Sequence, residues 1–382
     1  MKKRKQFIAR AVALAAVISL AVSITPAIAA PIVTSDLATT PGLTAQALAQ
    51  TLVGPGVSIS NVTYTGANVA GGTFSGAGDV VGIDSGIILS SGNIANSKGP
   101  NTVSNKTTNN GQSGDADLNT FSGKTTYDAA VLQFDFVPND SKLYMRYVFS
   151  SDEYNEYVGS SFNDVFAFMV NSTNFATVNG SPVSINTVNN GYGSTAATNP
   201  LFYIDNTSGA LATEMDGLTK VLSLKAPVTP GQVNHMKLAI ADASDSSFDS
   251  NVFIQTGSFQ SGSPNSNLGL SVNKKKIAKG KGVIFKGILK DSSGQGLPFA
   301  KVLIKKKIIK KVKKKVKGKV KVVKKTIWKK VAQTTTDING SYSKTVKLGA
   351  TGQFKTQFAG DDDDKAAGSK VIKITVVVKK KK

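Results

Sequence analysis

Short runs in which apolar and polar residues alternate dominate the chain from residue 57 onward. Leu132, Phe134 and Phe136 are separated by polar residues, which is the two-residue period of a half-buried strand. About ten runs of this kind precede residue 260, with Gly, Asn and Ser between them, a pattern typical of two packed antiparallel sheets. The sequence therefore predicts an all-β protein built on a β-sandwich.

One early segment has the spacing of a helix instead. Within residues 44–53 the apolar positions Ala45, Leu48, Ala49 and Leu52 fall on one face of a short helix. We predict this as the only helix of note. A polar stretch at 93–114, rich in Gly, Asn, Ser and Thr, predicts a long surface loop.

The first 29 residues predict a secretory signal peptide. A basic opening precedes an apolar run at 11–24, and Ala27 and Ala29 are placed for cleavage before Ala30. A retained membrane anchor is the alternative, but the run is shorter than the roughly 20 residues of a spanning helix. We expect a secreted protein at the cell surface or cell wall, with no transmembrane span.

Composition divides the rest of the chain into two modules. Residues 260–267 (QSGSPNSN) have the content of a linker, which gives a first module at 30–259 and a second at 268–382. Residues 30–265 carry 8 Lys and Arg against 18 Asp and Glu, whereas residues 266–382 carry 33 Lys against 6 Asp. Because Cys is absent, we expect a hydrophobic core rather than disulfides to stabilise each module.

Three loops of the first module concentrate carboxylate and amide side chains at strand ends. Ca²⁺ prefers about six to eight such oxygen ligands, and converging acidic loops without a cation would repel one another. Calcium is therefore the candidate cofactor, although Asp and Asn that only cap turns give the same composition. The candidate metal ligands are Asp115, Asp117, Asp152, Glu153, Asn163, Asp164, Asp242, Asp245 and Asp249.

The same stretches resemble a known family. The segments 82–93 (GIDSGIILSSGN), 113–138 (SGDADLNTFSGKTTYDAAVLQFDFVP), 147–170 (YVFSSDEYNEYVGSSFNDVFAFMV) and 235–259 (HMKLAIADASDSSFDSNVFIQTGSF) resemble the choice-of-anchor L domain of exported bacterial surface proteins. This resemblance extends over about residues 52–259 and implies surface display, a β-rich fold and no established catalytic activity. A lysine-rich module stands where a sorting signal is expected in such proteins.

The second module resembles the bacterial Ig-like repeats of surface proteins. The matching pieces are GxGxPxAxV at 294–302, TTDINGSY at 335–342 and FAGD at 358–361. The strand runs of this module, with turn signals at 293–294, 339–340 and 359–360, predict roughly seven strands, enough for one small sandwich. We therefore expect a jelly-roll-like β-sandwich followed by a smaller Ig-like β-sandwich.

A ribbon at 305–325 (KKKIIKKVKKKVKGKVKVVKK) departs from the Ig-like pattern. Val316 and Val320 on either side of Gly318 favour a β-hairpin; a helix induced on an anionic surface and a solvated loop are the alternatives. Lysine attracts polyanions without selecting their shape, so we expect an anionic cell-wall polymer or polysaccharide as partner, or extracellular nucleic acid. The candidate polyanion-binding residues are Lys305, Lys306, Lys307, Lys310, Lys311, Lys313, Lys314, Lys315, Lys317, Lys319, Lys321, Lys324 and Lys325.

Little in the sequence supports catalysis. The chain has one His, His235, no Cys, and no nucleophile-elbow, zinc-protease or phosphate-loop motif. We predict a non-enzymatic protein for display or adhesion, attached electrostatically to an anionic envelope. Since a glycosidase needs only two carboxylates, a carbohydrate-active enzyme using Asp152, Glu153, Glu156 or Asp164 is one alternative. The other is an extracellular nucleic-acid-binding matrix protein.

Overall fold

The computed structural model describes residues 31–378 except 292–293, 295, 298, 317–318, 338 and 361–363. For residues 313–316, 319–321 and 323 the description is confined to backbone pairing. The predicted signal peptide therefore lies outside the described residues, as does Lys317 of the predicted polyanion-binding set.

The first module is built from sixteen strands and two short helices among its described residues. The strands are β1 (Val33–Asp36), β2 (Val57–Thr65), β3 (Gly71–Ser75), β4 (Ser85–Ser90), β5 (Thr126–Pro138), β6 (Lys142–Ser151), β7 (Val165–Val170), β8 (Thr173–Asn174), β9 (Thr177–Val178), β10 (Ser181–Pro182), β11 (Tyr203–Asp205), β12 (Gly217–Thr219), β13 (Leu222–Pro227), β14 (Asn234–Ala243), β15 (Ser250–Gln255) and β16 (Gln260–Ser261).

Two antiparallel sheets pack face to face in this module. One follows the order β1-β3-β4-β15-β6-β12-β11, with β13 and β16 also pairing with β6, and the other follows β2-β5-β14-β7-β8. Leu132, Phe134 and Phe136 of β5 are fully buried between the sheets with Phe149 of β6. The all-β prediction is confirmed, and the alternation in β5 identifies the buried face correctly.

The module also contains helix α1 (Ala45–Leu52) and helix α2 (Ala116–Ser122). The first is the predicted helix, and the backbone N–H of Ala47 donates to Thr44 Oγ1 at its start at 3.2 Å. The second was not predicted; it packs Leu118 against the outer face of the sheet that contains β5. In the described part of the chain, no helix has the length and apolar content needed to cross a membrane.

The second module has ten strands among its described residues, where about seven were expected. They are β17 (Ser266–Leu268), β18 (Ser271–Val272), β19 (Lys276–Ala278), β20 (Gly282–Asp291), β21 (Lys301–Val316), β22 (Lys319–Thr335), β23 (Ser341–Lys347), β24 (Gly352–Phe358), β25 (Ala367–Gly368) and β26 (Ile372–Val377).

These strands form two further sheets around a separate core. One sheet has the order β17-β20-β18, with β23 also on β20, and the other has the order β19-β26-β24-β21-β22, with β25 on β24. Phe285 of the first sheet and Phe354 of the second are fully buried, with ring centroids 5.5 Å apart. Each module therefore has its own hydrophobic core.

The lysine ribbon forms a long antiparallel hairpin. Strands β21 and β22 pair from Lys301 opposite Thr335 to Val316 opposite Lys319, so the structure has the two hairpin arms that the sequence favours. Since β21 pairs with β24 only at 302–306, the hairpin continues beyond Lys306 as two strands alone. Strand β22 lies at the edge of its sheet.

The segment between the modules is shorter than predicted. Strand β16 pairs with β6, and β17 pairs with β20, so residues 262–265 alone separate the strands of the two modules. Arg146 of β6 and Asp291 of β20 form a salt bridge across the junction, and both side chains are buried. The modules are thus joined by an ion pair as well as by the chain.

Candidate functional site

The acidic loops of the first module meet at one end of its sandwich. In one sheet, Ser151 at the end of β6 lies opposite Ser250 at the start of β15. In the other sheet, Ala241 near the end of β14 lies opposite Val165 at the start of β7. The loops at these strand ends therefore approach one another. We call the carboxylates gathered there the acidic end, all buried except the half-buried Asp245: Asp128, Asp152, Glu153, Asp164, Glu214, Asp216, Asp242, Asp245 and Asp249.

Three members of the acidic end were missed by the sequence analysis. They are Asp128, Glu214 and Asp216, which are at most 3% exposed. Each lies within three residues of the start of β5 or β12. Position next to a strand end, the criterion that selected the other loops, was therefore a signal for these acids as well.

The polar loop at 93–114 crosses the acidic end and donates backbone hydrogen bonds to it. The N–H of Lys106 donates to Asp152 Oδ2 at 2.7 Å, and the N–H of Thr108 donates to Asp249 Oδ1 at 2.8 Å. The side-chain amide of Asn96 donates to Asp249 Oδ2 at 2.8 Å. These donors stabilise the charged form of part of the cluster, and they hold a loop that otherwise has little regular structure.

The carboxylates at the centre of the acidic end have few hydrogen-bond donors. Asp164 accepts hydrogen bonds from the Ala243 N–H at 2.9 Å and the Ser250 hydroxyl at 2.7 Å, and its own N–H donates to Glu153 Oε2 at 3.2 Å. Asp242 is fully buried, and neither of its carboxylate oxygens has a partner with the full geometry of a hydrogen bond; the Ser91 side chain is near enough to favour the charged form in part. A buried carboxylate without donors is strongly destabilised unless a proton or a cation neutralises it.

The pKa shifts of these carboxylates agree with their shortage of hydrogen-bond donors. Burial, with the charges of Asp216 and Glu214 adding to it, raises the pKa of Asp152 to about 8. Burial and the neighbouring Asp164 carboxylate raise the pKa of Asp242 well above its ordinary value, and burial also raises the pKa of Glu153. The acidic end therefore favours binding of protons or cations near neutral pH.

Asp115 and Asp117, two of the predicted metal ligands, lie elsewhere. Lys237 Nζ donates to Asp115 Oδ1 at 2.8 Å and to Asp117 Oδ2 at 2.6 Å. Burial lowers the pKa of Lys237, but hydrogen bonds with these two carboxylates outweigh that effect and raise it. An internal ammonium group therefore neutralises this pair.

The other seven predicted ligands lie in two different kinds of surroundings. The remaining six predicted acids are members of the acidic end, whereas Asn163 Oδ1 accepts a hydrogen bond from the Asn186 N–H at 2.9 Å. Within the described residues, no three His, Asp or Glu side chains already have the arrangement of a metal site. Binding of an ion there would require some carboxylates to turn toward a common point.

One large cleft of the described residues lies away from the acids. A cleft of about 1030 Å³ is lined by residues of both modules, including Arg146 and Asp291, and by no member of the acidic end. Tyr154, beside the candidate acids, is fully buried and donates its hydroxyl to the Val188 carbonyl at 2.6 Å. It is a core residue and offers no ring for a sugar to stack on.

The hairpin of the second module brings its lysines directly opposite one another. Lys310 lies opposite Lys325, and Lys311 lies opposite Lys324, and all four are exposed. Two further opposed pairs, Lys305 with Lys330 and Lys306 with Lys329, lie nearer the sandwich. Like charges directly opposite destabilise an antiparallel pair, so an anion that binds the hairpin would stabilise it.

A family comparison covers the first module. The family model described as the choice-of-anchor L domain matches residues 37–260, which includes the acidic end. No curated protein matches the chain.

Three of the solved structures that match this chain resemble it remotely. The adhesin InvE of Yersinia pseudotuberculosis is 10% identical with a TM-score of 0.20, over 65% of this chain and 54% of that one. A putative beta-galactosidase from Bacteroides fragilis is 11% identical with a TM-score of 0.19, over 65% and 32%. An Escherichia coli alpha-2-macroglobulin is 10% identical with a TM-score of 0.19, over 81% and 24%. This chain spans about half of the adhesin and a third or less of the others, and such TM-scores support no conclusion about function.

Proposed function

Since the chain belongs to the choice-of-anchor L domain family, we propose that it is a non-enzymatic, exported surface protein for display or adhesion. In this proposal the first module is the displayed part. The lysine-rich second module attaches it to an anionic cell-wall polymer or polysaccharide.

The observation that carries the attachment is the hairpin of β21 and β22. It extends beyond its sheet as two strands, and its exposed lysines lie opposite one another as like charges. An arrangement that repels itself is stabilised when a polyanion binds it, because counterions released from the polymer add to the direct attraction.

Calcium is the second part of the proposal. We propose that the acidic end binds Ca²⁺ through carboxylates around Asp242, whose two oxygens have no partner with the full geometry of a hydrogen bond. Carboxylate oxygens are the ligands that this cation prefers, and burial, with the charges of Asp216 and Glu214 adding to it, raises the pKa of Asp152 in the same cluster. A bound ion would stiffen the loops of the displayed end.

Release from the envelope by salt tests the attachment. The purified full chain is bound to isolated envelope and washed with rising salt; we expect release well below molar concentration, since phosphate and carboxylate contacts of lysine weaken steeply with ionic strength. Retention at molar salt would contradict electrostatic attachment. Release by nuclease would instead support the nucleic-acid matrix function.

Thermal melting with calcium and with chelator tests the metal. We expect calcium to raise the melting temperature of the wild type and to have little effect on Asp152→Ala and Asp164→Ala. Both variants are also assayed on a panel of polysaccharides. Turnover by the wild type that these substitutions abolish, with unchanged melting, would contradict the non-enzymatic proposal.

A further inference from the structure

The outer face of the larger second-module sheet carries a cluster of lysines around a single indole ring. Val302 and Ile304 of β21 are buried in the core, so the alternate residues Lys305 and Lys307 lie on the outer face. Lys305 is opposite Lys330 of β22 on one side and opposite Lys355 of β24 on the other. Three lysines thus lie side by side across three strands, about 4.8 Å apart from strand to strand.

Trp328 lies beside this row of lysines. It is opposite Lys307 on the edge strand β22 and is half-buried. Lys355 Nζ lies 4.9 Å from the centre of its ring, and such a contact orients the indole. We call the surface formed by Lys305, Lys307, Trp328, Lys330, Gln353 and Lys355 the lysine–tryptophan platform.

The platform lacks internal counter-charges. Lys330 Nζ donates to Gln333 Oε1 at 2.8 Å, and in the described part of the chain no carboxylate forms a salt bridge with Lys305, Lys330 or Lys355. Gln353 is exposed beside them. The surface therefore combines a ring face, amide groups and several ammonium groups that an external anion can neutralise.

We infer that the lysine–tryptophan platform is a binding site for a sugar unit of an acidic polysaccharide. The apolar face of the sugar ring packs on Trp328, its carboxylate or ester anion pairs with the lysine row, and its hydroxyl groups hydrogen-bond to Gln353. Single-stranded nucleic acid is a poorer fit, because platforms for it stack successive bases on several aromatic rings. Among the described residues of this face, Trp328 is the one aromatic side chain.

This inference rests on the proposed attachment and narrows its partner. The hairpin lysines attract any polyanion, whereas the platform selects one that contains sugar rings. The two sites therefore differ in their response to salt. Contacts with the hairpin weaken steeply as salt rises, and the contribution of ring packing is affected much less.

The sole tryptophan of the chain makes the platform directly measurable. Because the sequence contains one Trp, tryptophan emission of the full chain reports on Trp328 alone. The protein is titrated with polygalacturonate, inorganic polyphosphate, single-stranded DNA and neutral dextran. We expect a saturable shift in emission with polygalacturonate, and binding of polyphosphate to the hairpin without a comparable shift.

Variants separate the platform from general charge. We expect Trp328→Ala to weaken polygalacturonate binding about tenfold, the size of one stacked ring, and to leave polyphosphate binding unchanged. Lys330→Gln is compared with Lys286→Gln, which removes an exposed lysine from β20 on the other sheet. The first is expected to weaken polygalacturonate binding more than the second.

Some outcomes would contradict the platform and leave the proposed attachment standing, and another would contradict the attachment itself. Equal polygalacturonate binding by wild type and Trp328→Ala would contradict the platform while the hairpin still held polyanions. An equal emission shift with DNA would assign the platform to nucleic acid, and an equal shift with dextran would remove the requirement for acid groups. Failure of the wild type to bind any polyanion at low ionic strength would contradict the proposed attachment itself.

Discussion

At the scale of single residues, Asp242 is a poorly compensated buried acid of the first module. Its carboxylate is fully buried, neither oxygen has a partner with the full geometry of a hydrogen bond, and other acids surround it. Neighbours such as Asp249 accept hydrogen bonds from the loop above them. Removing the charge of Asp242 should therefore affect both stability and cation binding.

We expect Asp242→Asn to stabilise the protein in chelator and to reduce its response to calcium. The amide keeps the shape of the carboxyl group without its charge, so in chelator at pH 8 the variant should have a higher free energy of unfolding than the wild type. Denaturant unfolding with and without calcium measures both effects. Asp140→Asn, an exposed acid outside the cluster, is the control, and equal behaviour of the two variants would contradict the assignment.

The acidic end also predicts how stability depends on pH. Carboxyl groups of the unfolded chain titrate near pH ~4, whereas burial raises the pKa of Asp152 to about 8 in the folded protein. Between these values the folded state holds more protons, so its stability falls as pH rises. We expect the melting temperature in chelator to decrease from pH 5 to pH 8, and the stabilisation by calcium to grow over the same interval because the metal binds ionised ligands. A melting temperature in chelator that rises with pH would contradict this.

The positions of the acids in the sequence predicted that most of them gather at one end of the sandwich. These positions could not predict which group pairs with each acid. Six of the predicted ligands do gather at one end, because they flank strands that are neighbours in the two sheets. Asp115 and Asp117 satisfy the same local criterion, yet Lys237 lies between them through pairing of β14 with β5. That contact spans about 120 residues of chain, and nothing near either acid in the sequence indicates it.

At the scale of secondary-structure elements, the hairpin of β21 and β22 combines good strand formers with unfavourable charge pairs. Val and Ile favour the extended backbone, while opposed pairs such as Lys310 and Lys325 repel each other. The lysines also protect the exposed edge of β22 from pairing with another chain. Stability and anion binding should therefore respond in opposite directions to a change of charge.

We expect Lys310→Glu to stabilise the hairpin and weaken its binding of polyanions. An opposite-charge pair with Lys325 is worth about 0.2–1 kcal/mol in an antiparallel sheet, while the loss of a lysine contact lowers the salt dependence of binding by about one unit of slope. Thermal melting and polyphosphate titration at several salt concentrations measure the two effects. Lys344→Glu on β23 is the matched control, and a loss of stability in Lys310→Glu would contradict the repulsion.

Short elements were the least predictable. Helix α2 has seven residues and depends on Asp115, which accepts hydrogen bonds from the N–H groups of Asp117 and Leu118, and on packing of Leu118 against the sheet. The local sequence offered acids and small residues that suit a loop equally well. Its helical state is therefore set by tertiary contact more than by propensity.

At the scale of the whole molecule, the division of charge and the division of structure coincide. The composition change near residue 265 lies between the residues of two buried clusters, one in each module. The ion pair of Arg146 with Asp291 was not foreseen, because it joins residues of opposite modules that carry no local signal. It joins the first module to the second.

We expect Asp291→Asn to loosen the junction of the modules. Breaking one side of a buried ion pair costs about 3 kcal/mol or more, and burial already lowers the pKa of Arg146 despite the nearby acids. Scanning calorimetry should show the modules unfolding at more widely separated temperatures in the variant than in the wild type. Asp140→Asn is again the control, and identical thermograms for the two variants would contradict a coupling role for this pair.

Lysine side chains alternate between the two faces of the hairpin, and this alternation has a mechanical consequence. Lys310 and Lys325 point from one side of the two strands, and Lys311 and Lys324 point from the other. If the hairpin binds acidic polysaccharide as proposed, a single protein molecule has lysines for one polymer chain on each side and would act as a crosslink. Added to a dilute acidic gum, the protein should turn a viscous liquid into an elastic gel, as oscillatory rheology would register.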